Sequence, residues 1–136
     1  MNQDCNCPKR RQARWLEASI LYLLWEKPAH GYELMAALPH LGFMDQDADA
    51  GAVYRTLRHL EKFGYVISEW DTSGAGPAKR LYKLTKSGNE HLHVWRAIIQ
   101  KRLKSLEAFA EKLNQLKGEH DENSDTMPKQ AKGYVD

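Results

Sequence analysis

Three short amphipathic segments before residue 64, two β-forming runs around a Gly- and Pro-rich turn, and a long final stretch with an apolar residue every seven positions predict a mainly α fold. The order helix, helix, helix, hairpin, helix is that of a winged helix-turn-helix, with a two-stranded wing and a long C-terminal dimerisation helix.

Residues 1–12 read as a flexible basic arm, with Lys9, Arg10 and Arg11 against Asp4 and with Arg14 just beyond. The first helix is expected from Ala13 to Trp25, where Leu16, Ile20, Leu21, Leu23 and Leu24 form one apolar face. Lys27-Pro28 ends it, because proline disfavours a helical residue before it. His30-Gly31 opens a second helix from Tyr32 to about Leu38, with Leu34, Met35 and Leu38 toward the core; Pro39 and Gly42 break it. The loop over residues 41–50 carries Asp45, Asp47 and Asp49. Asp49 is placed to cap the third helix by accepting free backbone N–H groups. That helix runs from Ala50 to Phe63. Val53, Leu57 and Leu60 face inward, which leaves Tyr54, Arg55, Arg58, His59 and Lys62 on the other sides. Gly64 ends it where a positive φ is needed.

Tyr65–Asp71 is rich in β-formers, residues 72–77 form a turn cluster, and Lys79–Leu84 alternates as a second strand. Thr85 can cap the last helix, from Lys86 to Lys117, about 48 Å long at ~1.5 Å per residue. Leu92, Ile99, Leu106 and Leu113 are seven apart. Trp95, Phe109 and Leu116 fill the partner position, Arg102 is its one polar member, and Ile98 and Leu103 widen the stripe. A head of residues 13–85 is too small to cover such a face. A second copy is therefore expected along residues 86–117, the alternative being a helix folded back on its own domain. Residues 118–136, polar and acidic, read as a disordered tail.

A chain of 136 residues is expected to form one domain. Its net charge of +2 is too small to argue for nucleic acid by itself. The amino-terminal basic cluster is a common footprint for phosphate and equally a common solubilising tail. No apolar stretch reaches the roughly 20 residues of a membrane span. No apolar region follows a basic start, so a cytoplasmic location without membrane contact is expected.

Three blocks carry a family resemblance: His30-Gly31-Tyr32-Glu33-Leu34, residues 51–61 (Gly-Ala-Val-Tyr-Arg-Thr-Leu-Arg-His-Leu-Glu) and residues 76–88 (Gly-Pro-Ala-Lys-Arg-Leu-Tyr-Lys-Leu-Thr-Lys-Ser-Gly). In this order and spacing, across residues 15–116, the chain resembles the PadR family of transcriptional regulators. The resemblance implies a winged helix, a dimer through the last helix, and DNA binding that a signal relieves. The chain departs from the family's usual Ser-Pro before the glycine that opens the recognition helix; here it is Asp49-Ala50.

A recognition helix needs cationic and hydrogen-bonding groups on its exposed side near its amino-terminus. Tyr54, Arg55 and Arg58 meet that need, Ala52 lies beside them, and Gly51 allows a close backbone approach. His30, Gly31 and Tyr32 offer a second helix N-terminus to a phosphate, with Tyr32 packed on the third helix as the alternative. Lys79 and Arg80 are the expected wing contacts. The expected partner is double-stranded DNA bearing an inverted repeat, read by a homodimer acting as a repressor. Seam residues are Leu92, Trp95, Ile99, Leu106, Phe109 and Leu113. Trp15, Trp95 and Ile99 are candidates for stacking on a small, flat hydrophobic effector, against plain packing in the seam.

No catalytic constellation is present, so an enzyme is not expected. Cys5-Asn6-Cys7-Pro8 could serve a thiol-based redox, metal or haem sensor, but a closed zinc site needs four ligands, and an unstructured arm is the plainer reading. No metal site or cofactor is otherwise expected. Asp45-x-Asp47-x-Asp49 lacks the glycine and glutamate of a calcium loop, whose places hold Ala50 and Thr56. The competing function is a protein-interaction module that leaves the basic face of the same fold unused.

Overall fold

The structure, a computed structural model, describes residues 8–42 and 49–116, with side chains from Trp15 onward. Cys5, Cys7, Asp45, Asp47 and the tail over 118–136 lie outside the described residues. The chain divides into two compact units, residues 1–96 and 97–136.

In the first unit, α1 (Pro8–Glu26) starts five residues earlier than the apolar pattern suggests. Proline suits a first helical position because its missing N–H would go unbonded there anyway, so residues 8–12 are helix rather than arm. Leu16, Ile20, Leu21 and Leu24 are buried. Ser19 is buried among them and donates its hydroxyl to the Trp15 carbonyl at 2.7 Å.

Ala29–His30 forms a short strand, β1, so the sheet has three strands and not the expected two. Two residues are too few to show alternation in sequence. Helix α2 (Gly31–Ala37) follows at once, then a 3-10 turn over Leu38–Leu41. Gly42 closes that turn with a φ of 94°. Helix α3 (Ala50–Lys62) buries Val53, Leu57 and Leu60 completely. With Ile20, Leu21, Leu34, Leu38 and Val66 they form the core where α1, α2, α3 and the sheet meet. Each such side chain contributes about 1.5–3 kcal/mol of transfer free energy.

Gly64 has the expected positive φ, 80°. The chain then enters β2 (Val66–Asp71), which pairs antiparallel with β3 (Lys79–Leu84) in the order β1-β3-β2. Val66, Ser68 and Trp70 share one face with their partners Leu84, Tyr82 and Arg80. Ile67, Glu69 and Asp71 share the other with Lys83, Leu81 and Lys79.

Helix α4 (Lys86–Leu113) begins in this unit. The Thr85 hydroxyl donates to the Gly64 carbonyl at 2.7 Å and accepts the Gly88 N–H at 2.9 Å. Gly88 is buried, and a Cβ there would overlap the Tyr65 carbonyl oxygen. Further along, the Glu17 carboxylate accepts Trp95 Nε1–H at 2.9 Å and lies 3.1 Å from His91 Nε2.

The second unit contains α4 from Ala97 onward and a 3-10 turn over Asn114–Leu116. Within it Ile98, Leu103, Leu106, Phe109, Leu113 and Leu116 are exposed. Among the described residues, no helix is long and apolar enough to cross a membrane.

Candidate nucleic-acid interface

The amino-terminal turn of α3 is built around Asp49. Its Oδ2 accepts the Ala52 N–H at 3.0 Å, as an N-cap should. Arg55 Nη2 approaches the same oxygen at 3.9 Å, with both side chains largely exposed. Such a pair is worth about 0–1 kcal/mol, so the guanidinium can exchange this partner for a stronger acceptor. Gly51 is exposed between them; a Cβ there would lie 3.0 Å from Arg55 Nη1 and 3.1 Å from Asp49 Oδ2. Ala52 is half-buried, and Arg58 stands exposed one turn beyond Arg55.

Tyr54 is placed differently from its neighbours. Its ring lies over the backbone of Gly31, the first residue of α2, so closely that a Cβ at Gly31 would come within 2.5 Å of the phenol oxygen. Gly31 is thereby buried, while Tyr54 stays 38% exposed. The first turn of α2 and the reading side of α3 thus form one continuous surface.

The wing joins this surface on the sheet face that meets α3. Ser68 on that face donates its hydroxyl to Glu61 of α3 at 2.8 Å. Next along it, the Arg80 guanidinium lies 4.8 Å from the centre of the Trp70 ring. Trp70 is 63% exposed, unusual for so large an apolar side chain. Behind the pair, burial pushes the Tyr82 phenol above its ordinary value, with the Arg80 charge opposing and nearby Tyr54 and Glu61 adding to the rise.

On the outer face, Lys79 stands 5.1 Å over the ring of Tyr32, which is itself exposed and stacked on His30. His30 is half-buried, its ring nitrogens facing Glu33 and Asp71. Ser73 donates both its N–H and its hydroxyl to Asp71, and with His30 these bonds lower the Asp71 carboxyl to about 2.

The structure accordingly brings Gly51, Ala52, Tyr54, Arg55, Arg58 and Arg80 to adjoining surfaces of α3 and the wing, and gathers His30, Tyr32 and Lys79 on the outer side of the sheet. Sequence reasoning missed Trp70, Glu33 and Asp71. Strand alternation was the available signal for Trp70, and the three-residue spacing from His30 was the signal for Glu33. Nothing in sequence joins Asp71 to His30.

Trp15 and Trp95 lie with ring centres 6.4 Å apart at 43°. Trp95 is nearly buried, Leu92 and Ile99 are half-buried, and Leu106, Phe109 and Leu113 are exposed. No group of three or more His, Cys, Asp or Glu side chains is placed to hold a metal ion among the described residues.

Three helices around a small core, a hairpin laid against the third, and cationic side chains along both define a winged helix DNA-binding fold. The sequence profile of the transcriptional regulator PadR-like family matches residues 20–94, more than half of the chain, and the chain belongs to that family. Its members are transcriptional regulators and not enzymes. A PadR family transcriptional regulator from Eggerthella lenta is 27% identical, superimposes with a TM-score of 0.63, and the match covers 74% of this chain and 87% of that one. A PadR-like transcription factor from Bacteroides fragilis is 24% identical with a TM-score of 0.63, covering 76% and 98%. Bacillus subtilis PadR, solved in complex with operator DNA, is 20% identical with a TM-score of 0.54, covering 88% and 78%. No match was found among curated protein sequences.

Proposed function

We propose that this protein is a homodimeric repressor that binds an inverted repeat in double-stranded DNA and is released by a small hydrophobic effector. The observation that carries the reading is the packing of the wing on α3, with Ser68 of β2 bonded to Glu61 of α3, while Arg55 and Arg58 on that helix and Arg80 on the hairpin stay exposed. The Bacillus subtilis relative, solved with its operator, lends support from the same fold.

In this reading α3 enters the major groove. Arg55 or Arg58 donates to a guanine edge, a contact worth about 1–3 kcal/mol of discrimination. Lys79 and Arg80 lie along the phosphates, and the tip over residues 72–78 follows the backbone. The exposed stripe of α4 pairs with a second copy, which sets two reading heads roughly 34–36 Å apart, one turn of duplex. An effector stacked near Trp15, Trp95 and Ile99 changes that spacing and loosens both heads at once. Such a regulator acts in the cytoplasm, where its DNA is.

The test is selection of duplexes from a random pool by the purified protein, followed by titration of the winning site against salt. Log K should fall with log salt at a slope of about −0.9 per phosphate contact. Lys79→Ala should flatten that slope by about one contact, and Arg58→Ala should weaken binding by at least tenfold if it reads a base. Unchanged affinity in both variants, or a flat salt response, refutes the interface. A flat response would favour docking on another protein.

A further inference from the structure

His30 links three elements. Its backbone belongs to β1 and caps α2, where its N–H donates to Glu33 Oε1 at 2.7 Å. Its ring lies on the outer face of the sheet, and both ring nitrogens are taken. Nδ1 is 3.0 Å from Glu33 Oε1 on α2, and Nε2 is 2.8 Å from Asp71 Oδ2 at the end of β2.

The chemistry of this arrangement allows one complete solution. An ionised carboxylate only accepts hydrogen bonds, while a neutral imidazole has one N–H and one lone pair. A neutral ring would satisfy one carboxylate and aim its lone pair at the other. Only the imidazolium donates to both. The two carboxyls are themselves held in the charged form. Asp71 is lowered to about 2, first by the two Ser73 donors and then by His30, and Glu33 is lowered chiefly by the His30 backbone N–H. The His30 side chain is only 15% exposed, so water cannot freely replace a lost partner. The other charged groups facing the cluster are Lys27, which also lowers Glu33, Lys79 opposite Asp71 in the ladder, and Glu69, already paired with Lys83.

Asp71 is the last residue of β2 before the wing tip, and its Ser73 bonds shape the first turn of that tip. Glu33 lies in the first turn of α2, beside the Gly31–Tyr54 contact. We propose that His30, as an imidazolium clasped between Glu33 and Asp71, is a positioning residue that fixes the root of the wing against α2, so that the DNA-binding form of the protein carries a proton on His30. This rests on the DNA-binding reading above. It makes His30 a support for the surfaces that touch DNA and leaves the touching to Tyr32, Lys79 and Arg80.

The direction of the pH effect follows. Removing the ring proton leaves a neutral imidazole with one N–H and one lone pair. One carboxylate then faces a lone pair, the clasp opens on that side, and affinity falls. Restoring the proton closes it. His59 and His91 also face a carboxylate, that of Glu17, so the test must isolate position 30. His30→Gln serves because its amide can still donate to one carboxylate and never takes up a proton.

The experiment measures affinity of the full chain for its selected duplex across about pH 5.5 to 8, for wild type, His30→Gln, Asp71→Asn and the double variant, together with ring nitrogen NMR of the free wild-type protein. Wild type should lose affinity on the order of tenfold with rising pH. The single variants should bind more weakly at low pH, share a flatter profile, and combine without further loss. The ring spectra should show both nitrogens of His30 protonated at the acid end. A His30→Gln profile as steep as wild type, or a His30 ring that stays one neutral tautomer throughout, overturns the inference alone. Failure of wild type to bind any duplex at any pH overturns the DNA-binding reading and the positioning role with it.

Discussion

A hydrogen in place of a methyl group at position 31 is what lets Tyr54 lie across the start of α2. The contact joins residues 23 positions apart, and a Cβ at Gly31 would come 2.5–2.7 Å from three atoms of the phenol. Gly31→Ala therefore forces the ring to move. Tyr54 is partly exposed and can swing outward, so the core stays intact and stability should fall by about 1–2 kcal/mol at most. The reading surface is disturbed far more: affinity for the selected duplex should drop on the order of tenfold. Combining Gly31→Ala with Tyr54→Ala should cost no more than Tyr54→Ala alone, because both act through one ring. Fully additive losses in the binding titration would show that the contact has no part in recognition. At this scale the sequence was a partial guide. It separated Arg55 and Arg58 from Val53, Leu57 and Leu60, since helical period alone decides which side of α3 each occupies. It read Gly31 only as part of a helix N-terminus offered to a phosphate, with no sign of the Tyr54 ring. The actual neighbour is set by how α2 crosses α3, and that crossing leaves no trace in local pattern.

Elements were legible where a period or a terminator is strong. Alternation over Lys79–Leu84 gave the bounds of β3, and Asp49, Gly64 and Thr85 mark helix ends by chemistry that needs no tertiary context. The start of α1 and the strand β1 escaped because charged helix formers carry no apolar period and a two-residue strand carries no alternation. The junction between wing and final helix escaped in a subtler way. Thr85 was expected only to cap α4, yet its hydroxyl also binds the carbonyls of Gly64 and Tyr65 at 2.7 and 3.1 Å. One side chain thus fixes the end of α3 to the beginning of α4. Gly88 permits this, as its bare Cα rests against the Tyr65 carbonyl oxygen. Gly88→Ala should lower stability by about 1–3 kcal/mol, the usual cost of forcing an extra methyl into a filled site. Backbone cannot retreat as a side-chain tip can, so the end of the α3–β2 turn or the start of α4 must shift. Denaturant unfolding gives the number. A variant as stable as wild type would mean that this junction is loose.

At the scale of the whole molecule, the chain shows two kinds of surface. The first unit buries a core of large aliphatic side chains, whereas among the described residues the second leaves six large apolar residues between Ile98 and Leu116 exposed. A contiguous apolar stripe of that length is a partner surface, and the seven-residue spacing of Ile99, Leu106 and Leu113 suits another helix. Leu106→Glu separates assembly from recognition, because it sets a charge in the proposed seam and leaves every residue of the reading head untouched. Sedimentation should show monomers where wild type gives dimers. Binding to a duplex with one half-site should keep its affinity. Binding to the full inverted repeat should weaken by about 10²–10⁴, since two linked heads hold each other at high effective concentration and two separate ones do not. The folded head should melt as before, because its core of Leu21, Leu34, Leu57 and Leu60 belongs to the first unit. If Leu106→Glu still sediments as a dimer, the stripe is not the seam. If it is monomeric and yet binds the full repeat as tightly as wild type, the two heads do not act together, and an effector lodged between them would have nothing to switch.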